Sequence, residues 1–283
     1  MSVSIASKLC SVALSIAALT GCGGGSSTTA TKTGYFIDSA VEGLEYTSGS
    51  TTGMTGTDGS FKYEEGKPVT FKIGSMVLGS VTVTNNRVFP VDLVSGATDE
   101  THPKVSLMAQ ILQTLDSDGD ASNGITITET ARRAITQAIE VATADPTQTS
   151  VAISNLLSVA TANRASSLVT AQLATNHIKL NLLQEYVGTW RGSYTGNDGG
   201  TCTMSINLPT GASAATVSGS CASTQIANEV GSVTNSNFGS NGSFSGSLDN
   251  GGAFVGSFTR AGSMSGTWTN ANGYAGTWTM TKQ

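Results

Sequence analysis

Residues 244–280, FSGSLDNGGAFVGSFTRAGSMSGTWTNANGYAGTWTM, decide the fold of the C-terminal third of the chain. A glycine recurs there every ten residues, with a large apolar residue two positions before it and another two positions after it; these glycines are Gly246, Gly256, Gly266 and Gly276. Because alternate residues of a β-strand face the same side, each trio presents a large, a small and a large side chain to one face. The segments between the trios are rich in Asn, Asp and Gly, which favour turns. The repeat therefore predicts consecutive antiparallel strands.

The same trio occurs earlier, at Trp190-x-Gly192-x-Tyr194, so the β-rich segment extends over residues 187–283. A length of this kind accommodates about eight strands, and we expect an antiparallel β-meander that closes into a small barrel or flattens into a sandwich. Its first residues, Gly188-Thr189-Trp190, resemble the opening strand of lipocalin- and avidin-like barrels, and no ligand residue is carried over from that likeness. Trp268 and Trp278 are expected in the core, or alternatively as an exposed platform for sugars.

Two cysteines in this segment, Cys202 and Cys221, flank a turn-rich stretch at residues 208–213. If the flanking segments pair as a hairpin centred between Gly211 and Ala212, the two cysteines lie directly opposite each other on the same face. No histidine lies nearby in the sequence to suggest a metal or catalytic site. We therefore predict a cross-strand disulfide, which requires an oxidising compartment.

The N-terminus carries a targeting signal. Residues 1–21 contain one positive charge, Lys8, and an apolar run too short to span a bilayer. The run ends in Leu19-Thr20-Gly21-Cys22, which matches the lipobox of bacterial lipoproteins. The resemblance implies cleavage before Cys22, attachment of lipid chains such as palmitate, and a membrane anchor; Gly23, rather than aspartate, favours the outer membrane. Residues 22–33 are then expected to be a lipidated, flexible tether.

Residues 34–95 show short apolar or alternating segments separated by glycine-rich turns, as expected of strands. The order of these segments resembles the β-sandwich modules similar to carboxypeptidase regulatory domains. It is also similar to the N-terminal region of uncharacterised bacterial lipoproteins that continue with Ile-Leu-Gln-x-Leu-Asp-x-Asp-Gly, which this chain has at residues 111–119. The resemblance implies a small β-sandwich-like module without a known activity.

The period of the apolar residues changes in residues 96–186, which predicts a helical connector between the two β-rich parts. Apolar residues from Val105 to Leu115 are spaced by three and four, and Pro103 suits a first helical turn. Ile135, Ala138 and Ile139 predict a second helix, and further helical segments extend to residue 186.

A possible metal site lies between the first two helices. Asp116, Asp118 and Asp120 alternate in a loop that resembles the EF-hand, where oxygens at alternate positions bind calcium. Ala121 replaces the expected glycine and the loop is two residues longer, which makes Glu129 the counterpart of the family's last ligand. The resemblance implies structural calcium held by these four residues. The alternative is a plain turn, with Glu129 closing the next helix in a Thr126-x-x-Glu129 capping box.

The composition limits the function classes. The net charge is −5 and no basic stripe is present, which excludes a nucleic-acid partner. His102 and His177 lack metal spacing, and no sequence motif of a serine hydrolase, zinc protease or phosphate-binding loop occurs. We therefore expect a non-enzymatic lipoprotein of the bacterial envelope with a binding or structural role. The alternatives are a calcium-dependent adhesin or glycan binder, with a glycan or an envelope protein as partner, and an enzyme of unrecognised type.

Overall fold

The computed structural model describes residues 30–283. The predicted signal peptide and Cys22 lie outside these residues. The described chain is mainly β, with a mixed N-terminal region and a C-terminal barrel, as the sequence predicts. Among residues 30–283 no helix combines the length and the apolar character needed to cross a membrane.

The N-terminal region contains nine strands, arranged in three small sheets. Their bounds are β1 Thr31–Phe36, β2 Val41–Glu42, β3 Glu45–Ser48, β4 Thr51–Met54, β5 Ser60–Glu64, β6 Pro68–Ile73, β7 Met76–Thr82, β8 Arg87–Val88 and β9 Ile125–Thr126. The strand orders are β5-β1-β8, β4-β3-β6-β7 and β2-β9. Strand β1 begins at Thr31, so the last three residues of the predicted tether belong to a sheet.

Five helices follow the first sheets. They are α1 Pro103–Leu115, α2 Glu129–Ala134, α3 Pro146–Ser154, α4 Leu157–Ala160 and α5 Ala171–Gln184. Helix α1 agrees with the sequence prediction. The predicted helix through Ile139 is wrong, because α2 ends at Ala134 and the next residues pair with β7 instead: Val77 N donates to Ile139 O at 2.8 Å.

One hydrophobic core unites the sheets and helices of the N-terminal region. It extends from Phe36 to Leu182 and includes the fully buried Phe71, Met108 and Ile178. The predicted β-module and helical connector, which meet at residues 95 and 96, therefore share a core.

The C-terminal region is a closed barrel of eight antiparallel strands, each paired with the next along the chain. Their bounds are β10 Gly188–Gly196, β11 Gly200–Asn207, β12 Thr216–Ser223, β13 Val230–Phe238, β14 Ser243–Leu248, β15 Ala253–Phe258, β16 Ser263–Thr269 and β17 Ala275–Lys282. Pairing of β10 with β17, from Trp190↔Lys282 to Gly196↔Gly276, closes the barrel. Of the two predicted closures, barrel and sandwich, the chain adopts the barrel.

The repeated glycines make room for the tryptophans inside the barrel. Gly256 and Gly266 lie opposite each other on β15 and β16. A Cβ atom on either glycine would lie within 3 Å of the Trp278 indole. A Cβ atom on Gly276 would likewise lie 2.5 Å from the Trp268 indole nitrogen. The large–small–large trios thus fill the barrel with aromatic rings, which pack edge to face.

The predicted disulfide is present. Cys202 on β11 lies directly opposite Cys221 on β12, and the two sulfur atoms are bonded. Both side chains face the barrel core. The bridge therefore ties two neighbouring strands from the inside.

Helix α5 connects the two cores. Leu182, near its C-terminal end, packs in the N-terminal core, and the next residue, Leu183, packs in the barrel core. Tyr186 then packs against Phe238 and Phe258 and closes the end of the barrel next to α5, which we call the lower end. Ion pairs reinforce the joint: Arg260 with Asp92, and Arg87 with Glu185.

Candidate functional site

The aspartate loop follows α1 directly, and Asp116 anchors it. This residue is 1% exposed, and its two carboxylate oxygens accept backbone N–H groups from Gly119 at 3.0 Å and Thr126 at 2.8 Å. Burial raises the pKa of Asp116, and contact with the neighbouring Asp118 carboxylate raises it further. The loop therefore brings two of the predicted ligands, Asp116 and Asp118, next to each other.

Asp118 and Asp120 accept their hydrogen bonds from within the loop itself. Asp118 accepts from Asp120 N at 2.8 Å and from Asn123 Nδ2 at 3.0 Å. These hydrogen bonds to the ionised carboxylate lower the pKa of Asp118. Asp120 accepts from the backbone N and the hydroxyl of Ser122, at 3.1 and 2.6 Å. The aspartates thus stabilise tight turns in which a short side chain caps its own backbone.

Arg164 belongs to this site, although no sequence pattern indicated it. Its guanidinium donates to Thr114 O at 2.6 Å and to Asp116 O, at the C-terminal end of α1, where a positive charge is favourable. The same charge acts on Asp118 and lowers its pKa. Arg164 lies 48 residues beyond Asp116, in a segment without a motif, which is why the sequence carries no signal for it.

Glu129 lies on α2, beyond the aspartate loop in the sequence. It is the first residue of α2, and its carboxylate pairs with Arg133 one turn later at 2.5 Å. The expected capping box is not formed with Thr126; Thr128 is the N-cap and accepts from Ala131 N at 3.1 Å. Glu129 thus pairs within its own helix.

Within residues 30–283 no group of three or more His, Cys, Asp or Glu side chains is placed to hold a metal ion. Asp116 and Asp118 are the pair that the loop brings together. Calcium binding by this loop therefore stays a prediction.

A second cluster lies beside the loop, around the buried carboxylate of Asp38 in the turn between β1 and β2. Asp38 is 0% exposed, and it accepts a hydrogen bond from Gln113 Nε2 on α1 at 3.1 Å. Burial raises the pKa of Asp38 to about 7. His177 on α5 lies 3.7 Å from the carboxylate and 3.1 Å from the hydroxyl of Ser39, which has a φ of +57°.

His177 is half-buried, and this burial lowers the pKa of its imidazole. The ring is therefore neutral at pH 7, as is required of a buried histidine without a strong charge partner. Its Nε2 atom faces both Ser39 and Asp38, which differs from a catalytic triad, where the acid holds the opposite ring nitrogen. The cluster joins the first turn, α1 and α5, and its geometry is structural.

The barrel interior leaves no room for a ligand at its upper end. Tyr194 donates to Asp198 at 3.0 Å, and Asp198 also accepts from Gly199 N and the hydroxyl of Ser223. The space beneath them is about 30 Å³. A volume of this size holds about one water molecule.

The tryptophans proposed as a sugar platform are buried. Trp268 and Trp278 are 4% and 1% exposed. Their indole N–H groups donate to Thr195 O and Thr267 O, both at 3.0 Å. The structure therefore corrects the sugar-platform alternative and assigns both residues to the core.

Comparison with known proteins gives no family. No protein-family model matches the chain. No curated protein matches it either.

Proposed function

We propose that this chain is a lipid-anchored, non-enzymatic protein of the bacterial outer membrane, with a binding or structural role. The observation that carries the proposal is the position of Cys22, the lipobox cysteine, nine residues before the first strand begins at Thr31. A fully extended chain of nine residues reaches about 30 Å. Anchoring at Cys22 would therefore hold the folded part close to the bilayer surface.

The covering of the barrel supports a role in a polar, extracytoplasmic environment. Most outward positions of β14 to β17 are serine or threonine, with Ala253, Val255 and Ala275 as the exceptions. Thr277, Thr279 and Thr281 alternate with inward side chains on β17. These side chains are exposed and uncharged. Together with the disulfide, such a surface fits an exported protein.

The hydrogen bonds of the two buried aspartates support a structural role for them rather than a catalytic one. Asp116 is held by two backbone N–H groups and Asp38 by an amide. The Asp116 carboxylate holds the conformation of its own loop, whereas Asp38 connects the first turn to α1, 75 residues later. Either role is a sufficient reason for burial. The barrel, filled by its own aromatic rings, adds rigidity.

The test of this proposal is the fate of the chain when Cys22 is replaced. We expect the wild-type chain to fractionate with outer membranes and to enter detergent, and Cys22→Ala to lose both properties, because lipid chains supply the membrane affinity. Cys10→Ala is the matched control, since Cys10 lies within the predicted signal peptide and should leave the distribution unchanged. An identical distribution of wild type and Cys22→Ala would refute the anchor.

A further inference from the structure

A cavity of about 230 Å³ lies at the joint between the N-terminal region and the lower end of the barrel. We call it the joint cavity. Its walls come from both sides: Asp92 and Leu182 from the first region, and Tyr186, Ser240, Phe258 and Arg260 from the second. Boundaries between domains are preferred places for small-molecule sites.

One polar group in the wall has no protein partner. Tyr186 is 3% exposed, and its hydroxyl lies next to Gly242, in the turn whose residues Ser240 and Asn241 line the cavity. This hydroxyl makes no hydrogen bond with any residue in the described part of the chain. Burial raises the pKa of Tyr186 to about 12, so the group stays a neutral donor and acceptor. The hydroxyl is open to the cavity, so it can donate a hydrogen bond to a bound molecule and accept one from it.

The charges around the cavity are paired. The guanidinium of Arg260 holds Asp92 with two hydrogen bonds, one of them at 3.0 Å, and stacks on Phe89 at 4.8 Å. Behind it, Arg87 Nε lies 2.7 Å from Glu185. Because each positive charge has an acidic partner, the walls attract neither anions nor cations strongly. The hydrogen-bonding groups available to a ligand are therefore uncharged or belong to an ion pair.

The size and chemistry of the walls define a class of ligand. Pockets for drug-sized ligands occupy roughly 300–1,000 Å³, so the joint cavity suits a smaller molecule. Hydrogen-bonding groups from Tyr186, Ser240 and the Arg260–Asp92 pair form most of the wall, and Leu182 and Phe258 add a smaller apolar surface. An uncharged molecule with several hydroxyl groups and C–H faces matches both kinds of surface.

We propose that the joint cavity binds a small uncharged molecule rich in hydroxyl groups, of the size of a single sugar ring, with Tyr186 as its specific hydrogen-bonding partner. This inference specifies the binding role in the proposed function and rests on it. Anchoring at Cys22 is measured independently, so a failure here would leave the anchor untouched.

The test uses the soluble chain that begins at residue 23, which retains all described residues. Glucose, galactose and N-acetylglucosamine are titrated to about 50 mM, a range that covers the millimolar affinity of weak ligands, and binding is followed by amide chemical shifts. We expect saturable shifts for at least one sugar at residues 240–242 and 258–260. Tyr186→Phe should weaken that binding about fivefold, the loss expected for one neutral hydrogen bond.

Two further variants keep the test decisive. Ala97→Leu places a larger side chain in the cavity wall and should abolish binding. Tyr194→Phe is the matched control, since its hydroxyl is bonded to Asp198 at the other end of the barrel and should not affect affinity. The proposal is overturned if none of the three sugars binds the wild-type chain, or if Tyr186→Phe and Ala97→Leu bind as well as the wild type.

Discussion

The barrel and the N-terminal region reach a buried core by different routes. In the barrel, each of the eight strands pairs with its neighbour in sequence, apart from the closure between β10 and β17. In the N-terminal region, β1 lies between β5 and β8, and β2 pairs with β9, some 84 residues further along the chain. A repeat of local pairings is readable from sequence, whereas long-range pairings depend on the whole chain. This contrast separates what could be predicted from what could not.

The largest expected effect is a loss of stability confined to the barrel. Trp278→Ala should reduce the free energy of unfolding of the barrel by about 3–5 kcal/mol, because it removes a fully buried aromatic side chain from the space between two glycines. All three tryptophans of the chain lie in the barrel, so tryptophan fluorescence during urea unfolding reports on this region.

Phe71→Ala, a matched loss in the N-terminal core, is the control for that experiment. It should lower the urea midpoint measured from the far-UV signal of the helices. The midpoint measured from tryptophan fluorescence should stay close to the wild-type value. A joint shift of both signals in either variant would show that α5 couples the two cores into one cooperative unit.

The second effect is a pH dependence of stability that arises in the N-terminal region, from Asp38. Because the pKa of Asp38 rises from 3.8 to about 7 on folding, its contribution to stability is fully present below pH 3.8 and is lost as the pH rises through 7. The free energy of unfolding of wild type relative to Asp38→Asn should therefore fall between pH 4 and 8, by up to about 4 kcal/mol.

His177 opposes this trend, because its pKa is lowered on folding and acidification below about pH 6.5 disfavours the folded state. The experiment is therefore repeated in two backgrounds, His177→Gln and Asp120→Asn, since the Asp120 charge acts on the imidazole. If the free energy of unfolding differs between the chain with Asp38 and its Asp38→Asn variant by the same amount at every pH, in both backgrounds, then Asp38 does not bind a proton on folding.

The third effect tests the hairpin in the barrel. Cys202→Ala/Cys221→Ala opens a loop of 19 residues and should cost about 3 kcal/mol of barrel stability, through the greater entropy of the unfolded chain. Urea midpoints from tryptophan fluorescence measure the loss. Wild-type protein unfolded in reductant should match the variant, and unchanged midpoints in both would show that the bridge does not stabilise the barrel.

The smallest effect concerns the aspartate loop. If calcium binds with a Kd of about 1 mM, then 1 mM calcium stabilises the fold by only about 0.4 kcal/mol. A thermal-unfolding series in calcium, with Asp118→Asn as the variant and Asp145→Asn, an N-cap outside the loop, as the control, measures it. A shift in wild type that Asp118→Asn removes would support the site; equal curves with and without calcium would remove it.

The barrel was predictable because its signals are local. The glycine repeat determines the inward face, and the hairpin pattern by itself places Cys202 opposite Cys221. In the N-terminal region the apolar spacing of Ile135 and Ile139 suggested a helix. Their carbonyl groups instead accept from Ser75 and Val77, a competition that helical spacing does not reveal.

The candidate sites show the same limit. The sequence located the aspartate loop and predicted Glu129 as a further ligand; the structure pairs the Glu129 carboxylate with Arg133 on its own helix. No sequence pattern indicated a role for His177, although the imidazole meets Ser39, 138 residues earlier. Contacts of this separation have no local signature in one sequence.

A lipid anchor at Cys22, which would hold the folded region near the membrane, is tested most directly by mass spectrometry of the N-terminal peptide. The full chain is purified from the membranes of a bacterial host and digested. We predict a first residue of Cys22 that carries a diacylglyceryl group and an acyl chain. A mature chain that starts at any other residue, or an N-terminal Cys22 with a free thiol, would rule out the lipid anchor.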